Sequence, residues 1–141
     1  MKESEIRTGN EKLSRLMLSL SEPERWETTE KLTATSLDAY RKDQALDRVE
    51  TVIVIGHGTS LATAMNAEFL FSEVAGVASR AIPAYQFHSY AQDYLKKPDQ
   101  TLVVGISCSG NTESVAKGLK TAKEAGALTM CISGRGEIKM A

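Results

Sequence analysis

The sequence predicts an α/β domain built around a parallel sheet, and three observations lead to that prediction. Short apolar runs rich in β-branched residues recur along the chain, as expected of strands that are buried on both faces. Segments of helical composition lie between these runs, and glycine, proline or small polar residues mark the junctions. Because strands that alternate with helices pair in parallel through right-handed crossovers, the pattern favours a helix-covered sheet.

The first 45 residues are predicted to be helical. One apolar stripe, spaced i, i+3, i+4, i+7, comprises Leu13, Leu16, Met17 and Leu20. Ser21 is predicted to cap a second helix, with Pro23 in the first turn and Glu24 completing a capping box. The composition of residues 26–49 indicates one or two further helices, with weak periodicity and undefined breaks.

Four strands and three helices are predicted to alternate after residue 50. The strands are TVIVI (51–55), SRAIPAY (79–85), TLVVGIS (101–107) and LTMCIS (128–133), and the helices cover residues 61–75, 86–95 and 112–125. Pro83 predicts an edge position for the second strand, because proline cannot donate a ladder hydrogen bond. The third helix is predicted to bury Val115, Leu119 and Ala122, and Gly76 and Gly126 are expected to end the first and third helices.

The expected architecture is a three-layer α-β-α domain with a flavodoxin-like parallel sheet of strand order 2-1-3-4. The final residues, GRGEIKMA, come where a further helix and strand would follow, so we expect a missing or truncated fifth strand. We therefore predict two parts, an N-terminal helical segment at 1–45 and a C-terminally truncated α/β domain at 46–141.

The composition narrows the classes of function. Seventeen basic and 18 acidic residues give a net charge of −1, and no basic stripe suggests a nucleic-acid partner. No apolar run is long enough to span a membrane, and the polar N-terminus lacks the apolar segment of a signal peptide. The two cysteines, Cys108 and Cys131, have neither a disulfide-framework nor a metal-site spacing. We expect a reduced, cytoplasmic protein without a metal or cofactor.

The loop after the third predicted strand resembles two catalytic motifs without matching either. Gly105 to Thr112 reads G-x-x-x-x-G-N-T, with Asn111 where a P-loop needs the lysine that neutralises phosphate charge. A nucleophile elbow around Ser107 would need glycine where Ser109 stands, and the sequence after the loop contains no histidine or aspartate to complete a triad. Nucleoside triphosphate binding and serine hydrolysis are therefore disfavoured.

The loop after the first predicted strand resembles a dinucleotide fingerprint. Gly56 and Gly58 supply two of its three glycines, and Leu61 stands at the third position. The fingerprint also needs an acidic residue after the second strand to hold the ribose, and residues 79–85 contain none. Nicotinamide dinucleotide binding is therefore also disfavoured.

Both loops follow a buried strand, open a helix and carry small hydroxyl side chains. These side chains are Thr59 and Ser60 in the first loop, and Ser107, Ser109 and Thr112 in the second. In a 2-1-3-4 sheet the two strands are neighbours at the switch point, where ligands bind. Helix N-termini and hydroxyl groups without nearby lysine or arginine suit one compact phosphate. The alternative is that these residues are ordinary helix N-caps.

The segments VIVIGHGTSLATAMNAEFLFSEVAG and TLVVGISCSGNTESVAKGLKTAKEAGA resemble the sugar isomerase (SIS) domain family. The likeness covers residues 21–134 and is closest to the isomerase half of glucosamine-6-phosphate synthase and its deglycase-type relatives. The pair G-T-S and S-x-S-G-x-T, each after a buried strand, carries the resemblance.

The resemblance implies that the five hydroxyl residues hold the phosphate of a sugar phosphate. It also implies a set of substrate-adjacent residues, namely Gly58, His57, Cys108, Gly110, Asn111 and Gln86. Three of these depart from the family, since Cys108 stands where glutamine is common, Gln86 where glutamate is common and His57 where cysteine is common. These departures bear on the identity of the sugar more than on the phosphate.

The resemblance implies that the parent protein is a sugar-phosphate isomerase or deglycase and that its catalytic residues lie in a second lobe that this chain lacks. Acid-base candidates in this chain are Glu68, Glu73, His57 and His88, and we assign none of them a catalytic role. The alternative is a SIS module that senses sugar phosphates without chemistry, although residues 1–45 show no basic DNA-reading unit in front. The open edge of the LTMCIS strand predicts a homodimer or a contact with a second lobe.

Overall fold

The structure of the chain is a computed structural model that describes residues 23–43 and 46–134. The contacts between Cα atoms divide the chain into two units, residues 1–44 and 45–141, which are described separately. The apolar stripe predicted at residues 13–20 and the helix cap predicted at Ser21 lie outside the described residues.

The described part of the first unit is one helix, α1 (Pro23–Asp43). Arg41 and Lys42 lie in its last turn, where positive charge interacts favourably with the helix dipole. Its exposed surface is mainly polar, with Leu32 and Leu37 as exposed apolar exceptions. Between residues 26 and 49, where one or two helices were predicted, α1 ends at Asp43 and a separate 3-10 turn spans Leu46–Arg48.

The second unit contains a four-stranded parallel sheet. Its strands are β1 (Thr51–Gly56), β2 (Ala78–Pro83), β3 (Thr101–Ser107) and β4 (Leu128–Ser133). Their order is β2-β1-β3-β4, so the predicted order and the predicted edge position of β2 are confirmed. In the centre of the sheet, Ile55 pairs with Ile82 on one side and with Gly105 on the other.

Four helices connect these strands. They are α2 (Thr59–Glu73), α3 (Ala84–Ser89), α4 (Ala91–Tyr94) and α5 (Glu113–Glu124). The prediction of a single helix at 86–95 is wrong, because the backbone leaves helical geometry at Tyr90, with φ −129° and ψ 32°. The second strand also ends at Pro83 rather than residue 85, because Ala84 already begins α3.

The helices cover both faces of the sheet. On one face, Ile53, Ile55 and Val103 pack in a buried cluster with Phe87 of α3 and Val115 of α5. Because side chains alternate along a strand, Val52 and Val54 face the other side, where α2 packs mainly on β1 and β2. The fold is therefore the predicted three-layer α-β-α arrangement, and the residues predicted to face inward from α5 are buried.

The β2 edge of the sheet is closed to further strand pairing. The carboxylate of Glu68 accepts a hydrogen bond from the outward backbone N–H of Ala81 at 2.7 Å. Backbone groups two residues apart point the same way in a strand, and the next outward position is Pro83, which has no N–H. This edge therefore offers few donors to another chain, which is how natural sheets avoid edge-to-edge association.

The outer side of α2 carries exposed apolar side chains, namely Met65, Phe69, Leu70 and Val74. Met65 and Phe69 are one turn apart, as are Leu70 and Val74, the residue that directly follows α2, so the four lie along one side of the helix. A contiguous stripe of this kind is typical of a contact surface rather than of scattered surface residues. In the described residues, no helix combines the length and the apolar character needed to cross a membrane.

Candidate functional site

The first site loop joins β1 to α2 and contains the sequence GHGTS. A Cβ atom on Gly56 would lie 2.6 Å from the carbonyl oxygen of Ser60, so the end of β1 and the first turn of α2 are in direct backbone contact. Gly58 precedes α2 with φ 56° and ψ −128°, a conformation that favours glycine. These two glycines position Thr59, which is exposed, and Ser60, which is half-buried, at the start of the helix.

The second site loop joins β3 to α5, and its own side chains fix its shape. Ser107 is 1% exposed, and its Oγ lies 2.8 Å from Thr112 Oγ1. The same Oγ accepts a hydrogen bond from the Gly110 N–H at 3.1 Å. Ser109 Oγ accepts a second loop bond from the Asn111 N–H at 3.2 Å. Three internal hydrogen bonds therefore hold the loop in shape, with Ser107 as its buried centre.

The hydroxyl groups do not act as ordinary helix caps. The N-cap residue of α2 is Gly58, which has no side chain, and Thr112 at the N-cap of α5 makes no side-chain capping bond. The Thr112 hydroxyl turns to Ser107 instead. Part of each first turn is already bonded to a loop carbonyl, as the N–H groups of Leu61 in α2 and Val115 in α5 are. The remaining first-turn N–H groups and the positive dipole ends are available to a ligand. Such ends favour an anion.

The sheet brings the two loops to one edge. Ile55 near the end of β1 pairs with Gly105 near the end of β3, and neighbouring strands lie about 4.8 Å apart. The five predicted hydroxyl residues therefore lie on adjacent loops at the carboxyl ends of the two central strands. This is the switch point of the sheet, because β1 connects to β2 on one side and β3 to β4 on the other.

Most of the predicted substrate-adjacent residues also lie on these loops. His57, Cys108 and Asn111 are exposed, and Gly110 allows a turn with φ 69°. Gln86 differs, because it lies in α3 and its Nε2 donates a hydrogen bond to the Tyr94 hydroxyl at 2.6 Å. That amide group is engaged within the domain, whereas the side chains of His57, Cys108 and Asn111 remain accessible.

The structure adds three residues to this edge that the sequence analysis did not identify. Tyr85 is 59% exposed, and its ring centroid lies 6.4 Å from that of His57. Ser133 pairs in register with Ser107, which brings the end of β4 beside the second loop. A Cβ on Gly134 would lie 3.0 Å from the carbonyl oxygen of Cys108, so these two backbones are close. Only the strand register could have indicated Ser133 in advance.

Three of the four acid-base candidates lie away from the two loops or are engaged elsewhere. Glu68 is bound to the β2 backbone, and Glu73 is exposed at the far end of α2. His88 Nδ1 lies 3.0 Å from Thr121 Oγ1 of α5. His57 alone among the four stands in a site loop. Within the described residues, no group of three or more His, Cys, Asp or Glu side chains could hold a metal ion.

One acidic side chain lies at the α5 N-terminus. Glu113 is exposed and its Oε1 lies 2.7 Å from Lys117 Nζ. The hydrogen bond and the positive charge of Lys117 lower the pKa of Glu113, so this carboxylate is ionised at neutral pH. The lysine thus offsets a negative charge that would otherwise oppose an anion at the helix end.

These features define a parallel α/β domain whose polar loops meet at the switch point, the class in which ligands bind beyond the carboxyl ends of the strands. The family model of the SIS domain matches residues 45–141. The chain belongs to the SIS domain family, as the sequence resemblance predicted.

The curated relatives are much longer proteins. The isomerizing glutamine–fructose-6-phosphate aminotransferase of Campylobacter jejuni is 34% identical over 90 residues, covering 64% of this chain and 14% of that protein. The corresponding protein of Vibrio parahaemolyticus is 29% identical over 107 residues, covering 74% and 17%. The chain therefore spans less than a fifth of the length of these relatives.

Solved structures share the fold. The C-terminal domain of glucosamine-fructose-6-phosphate aminotransferase from Francisella tularensis superimposes with a TM-score of 0.58 at 22% identity, over 67% of this chain and 26% of that one. Tagatose-6-phosphate ketose/aldose isomerase from Escherichia coli superimposes with a TM-score of 0.60 at 22% identity, over 75% of this chain and 29% of that one. Glucosamine-6-phosphate deaminase from Thermotoga maritima superimposes with a TM-score of 0.58 at 24% identity, over 67% of this chain and 30% of that one. At these identities the likeness demonstrates the fold.

Proposed function

We propose that residues 46–141 bind the phosphate group of a sugar phosphate and serve as one lobe of a sugar-phosphate isomerase or deglycase. The observation that carries this proposal is that two helix N-termini without side-chain caps, together with five hydroxyl residues, lie at the carboxyl end of the two central strands. Membership of the SIS family supports the same ligand class, since several relatives are named for reactions of fructose, tagatose or glucosamine phosphates.

The chemistry of the two loops suits a monophosphate. Backbone N–H groups and hydroxyls can donate hydrogen bonds to the phosphate oxygens, and two helix dipoles favour the negative charge. The hydrogen bonds of the site hydroxyls in the β3–α5 loop involve no lysine or arginine. A polyphosphate would leave much of its charge uncompensated in such a site, so one phosphate ester is the better match.

We predict that sugar phosphates stabilise this chain and that removing two exposed hydroxyls weakens that effect. Fructose 6-phosphate and glucosamine 6-phosphate are expected to raise the unfolding temperature, whereas free fructose, ATP and NAD are not. The double variant Thr59→Ala, Ser109→Ala should weaken sugar-phosphate binding about 100-fold or more, because two hydrogen bonds to a charged group are lost and each costs roughly 1.5 kcal/mol or more. A thermal-shift titration measures both effects.

Ser72→Ala is the matched control for this experiment. Ser72 is an exposed hydroxyl residue near the opposite end of α2 and bonds to Ser79, so its loss should leave ligand binding unchanged. Alkylation supplies a second readout, since Cys108 is exposed in the β3–α5 loop and a bound ligand should protect it. Burial raises the pKa of the Cys131 thiol, which therefore reacts slowly and serves as the internal reference. Stabilisation by ATP or NAD alone would contradict the proposal.

A second candidate function is ligand sensing without chemistry. The positions of the acid-base candidates favour it, because only His57 stands in a site loop while Glu68 and His88 have partners elsewhere. Isomerisation needs a carboxylate to move a proton between adjacent carbons, and the one carboxylate beside the loops, Glu113 at the start of α5, is paired with Lys117. Proton exchange at the sugar's C1 or C2, followed by NMR with a longer natural chain, would distinguish an enzyme from a sensor.

We also propose that β4 contacts a homodimer partner or a second lobe. Within residues 46–134, β4 pairs on one side only, with β3. The face of β4 on the α2 side is poorly covered, because α2 packs mainly on β1 and β2, and Ile132 is 52% exposed there. A partly uncovered terminal strand is a surface that sheets normally protect.

The partner proposal predicts a dimer in solution. Light scattering at micromolar concentration is expected to give twice the chain mass, and Ile132→Lys is expected to give a monomer, because a charge opposes burial of this face. Tyr90→Lys, at an exposed position between α3 and α4, is the control and should leave the dimer intact. A monomeric unaltered chain would contradict the homodimer and leave only the second-lobe contact of a longer chain.

A further inference from the structure

Two exposed aromatic side chains meet beside the phosphate-binding loops. His57 directly follows β1, and Tyr85 lies two residues beyond the end of β2. Their ring centroids are 6.4 Å apart with an interplanar angle of 77°, an edge-to-face arrangement. The end of β1 pairs with the end of β2, Gly56 against Pro83, so this contact lies on the β2 side of the first loop.

The packing of the domain does not account for this pair. In α3, Ala84 and Phe87 are fully buried, so the helix is anchored to the core without Tyr85. The neighbouring Gln86 is also turned inward, toward Tyr94. Tyr85 remains 59% exposed, and His57 is exposed between two glycines. An exposed aromatic pair at the mouth of a site is typical of a ligand contact.

We infer that the His57–Tyr85 pair forms the wall that contacts the carbon skeleton of the bound sugar phosphate. This inference rests on the proposed function. The tyrosine ring offers an apolar face to the C–H groups of a sugar, and the histidine ring offers a hydrogen-bond donor or acceptor to a sugar hydroxyl. The pair thus selects for a polyhydroxylated carbon chain and adds nothing to the binding of phosphate itself.

The spacing of the sheet supports this division of the site. From the β3 loop to the end of β2 is two strand spacings, about 10 Å. A chain of five or six carbons with bonds of about 1.5 Å extends far enough from its phosphate to approach that distance. Inorganic phosphate held between the two loops is too small to reach the His57–Tyr85 pair. The two parts of the site can therefore be measured separately with these two classes of ligand.

The test compares sugar phosphates with inorganic phosphate on the full chain. Tyr85→Ala is expected to lower the affinity for fructose 6-phosphate and glucosamine 6-phosphate about tenfold, measured by isothermal titration calorimetry. The affinity for inorganic phosphate should change less than twofold. Tyr85→Phe should bind both sugar phosphates within threefold of the unaltered chain, because the ring face makes the contact. Tyr90→Ala is the matched control, since Tyr90 is 60% exposed but makes no ring contact with His57.

Two results would overturn this inference while leaving the proposed function intact. Equal weakening of sugar phosphates and inorganic phosphate by Tyr85→Ala would show that the tyrosine supports the first loop. Unchanged affinity for every ligand would show that Tyr85 does not contact the sugar. If the unaltered chain binds inorganic phosphate but no sugar phosphate, or binds neither, the proposed function fails and this inference fails with it.

Discussion

Gly56→Ala is expected to destabilise the domain by about 3 kcal/mol, the upper part of the range for overpacking a tightly packed site. The added Cβ would lie 2.6 Å from the Ser60 carbonyl oxygen, 2.7 Å from its carbon and 2.9 Å from the Leu61 nitrogen. All three atoms belong to the backbone of the first turn of α2, so no side-chain rotation can relieve the contact. The strand and the helix must move apart.

Gly118→Ala is the matched control, because it makes the same chemical change at an equally buried position. Its added Cβ would lie 2.7 Å from Ile55 Cδ1, the far end of a flexible side chain that can turn away. Alanine in the middle of α5 also gains about 1 kcal/mol of helix propensity over glycine. We therefore expect a change of less than about 1 kcal/mol in the free energy of unfolding for this variant.

Urea unfolding measures the difference in the free energy of unfolding between the two variants. In a separate thermal unfolding experiment, the midpoint temperature should fall by about 10–20 °C for Gly56→Ala. The same variant should lose sugar-phosphate binding, because Thr59 and Ser60 move with the displaced helix turn. Equal stability of the two variants would show that the β1–α2 junction can relax, and the close contact would then not define the position of the first loop.

The sheet topology was predictable because the amino-acid composition of each strand indicates a buried strand. TVIVI and TLVVGIS are continuous apolar runs, and both strands are buried along nearly their whole length. Parallel pairing follows from the alternation of strands and helices, and the continuous apolar runs indicate that these two strands are central and buried on both faces. Proline at residue 83 likewise predicts that its strand lies at the edge of the sheet.

The break between α3 and α4 could not be predicted from periodicity. Phe87, Ala91 and Leu95 are all buried and are spaced four residues apart, which is the pattern of one continuous helix. The helix is interrupted because the backbone of Tyr90 leaves helical geometry, and the exposed side chain of this residue does not indicate a break. The pattern reports which side chains face the core, and here that set stays the same across the break.

The site residues that directly follow a strand were predictable from the sequence. Those that reach the site only through contacts between loops were not. The hydroxyl residues lie in the loops that follow β1 and β3, which the sequence places directly. Tyr85 was assigned to the second strand, and only the end of β2 at Pro83 brings it beside His57. Contacts between loops depend on strand register, which composition does not specify.

Ser107→Ala and Thr112→Val are expected to be strongly non-additive. Each variant should lower the free energy of unfolding by about 1–2 kcal/mol, because each removes the hydrogen bond between the two hydroxyls. The double variant should cost about 1 kcal/mol less than the sum, since the second substitution has no bond left to break. Valine keeps the shape of threonine, so packing at residue 112 is largely retained.

Ser109→Ala is the control within the same loop. Its hydroxyl is exposed and accepts only the Asn111 N–H, so stability should change by less than about 0.5 kcal/mol. Ser107 differs because it is buried and also accepts the Gly110 N–H, although that donor keeps a second bond to the Ser107 carbonyl oxygen at 3.2 Å. The predicted stability difference between these two serines therefore reflects burial and the bond to Thr112.

Ligand affinity separates the role of Ser107 in shaping the loop from a direct contact. If Ser107 mainly holds the loop in shape, Ser107→Ala and Thr112→Val should each weaken inorganic phosphate about tenfold, and the double variant should be little worse than either. A ligand that binds a preformed loop does not have to order it. The first substitution already loosens the loop, so the second adds little further cost to binding. Additive losses in both stability and affinity would instead show two independent hydroxyls, each donating directly to the ligand, and no preformed centre at Ser107.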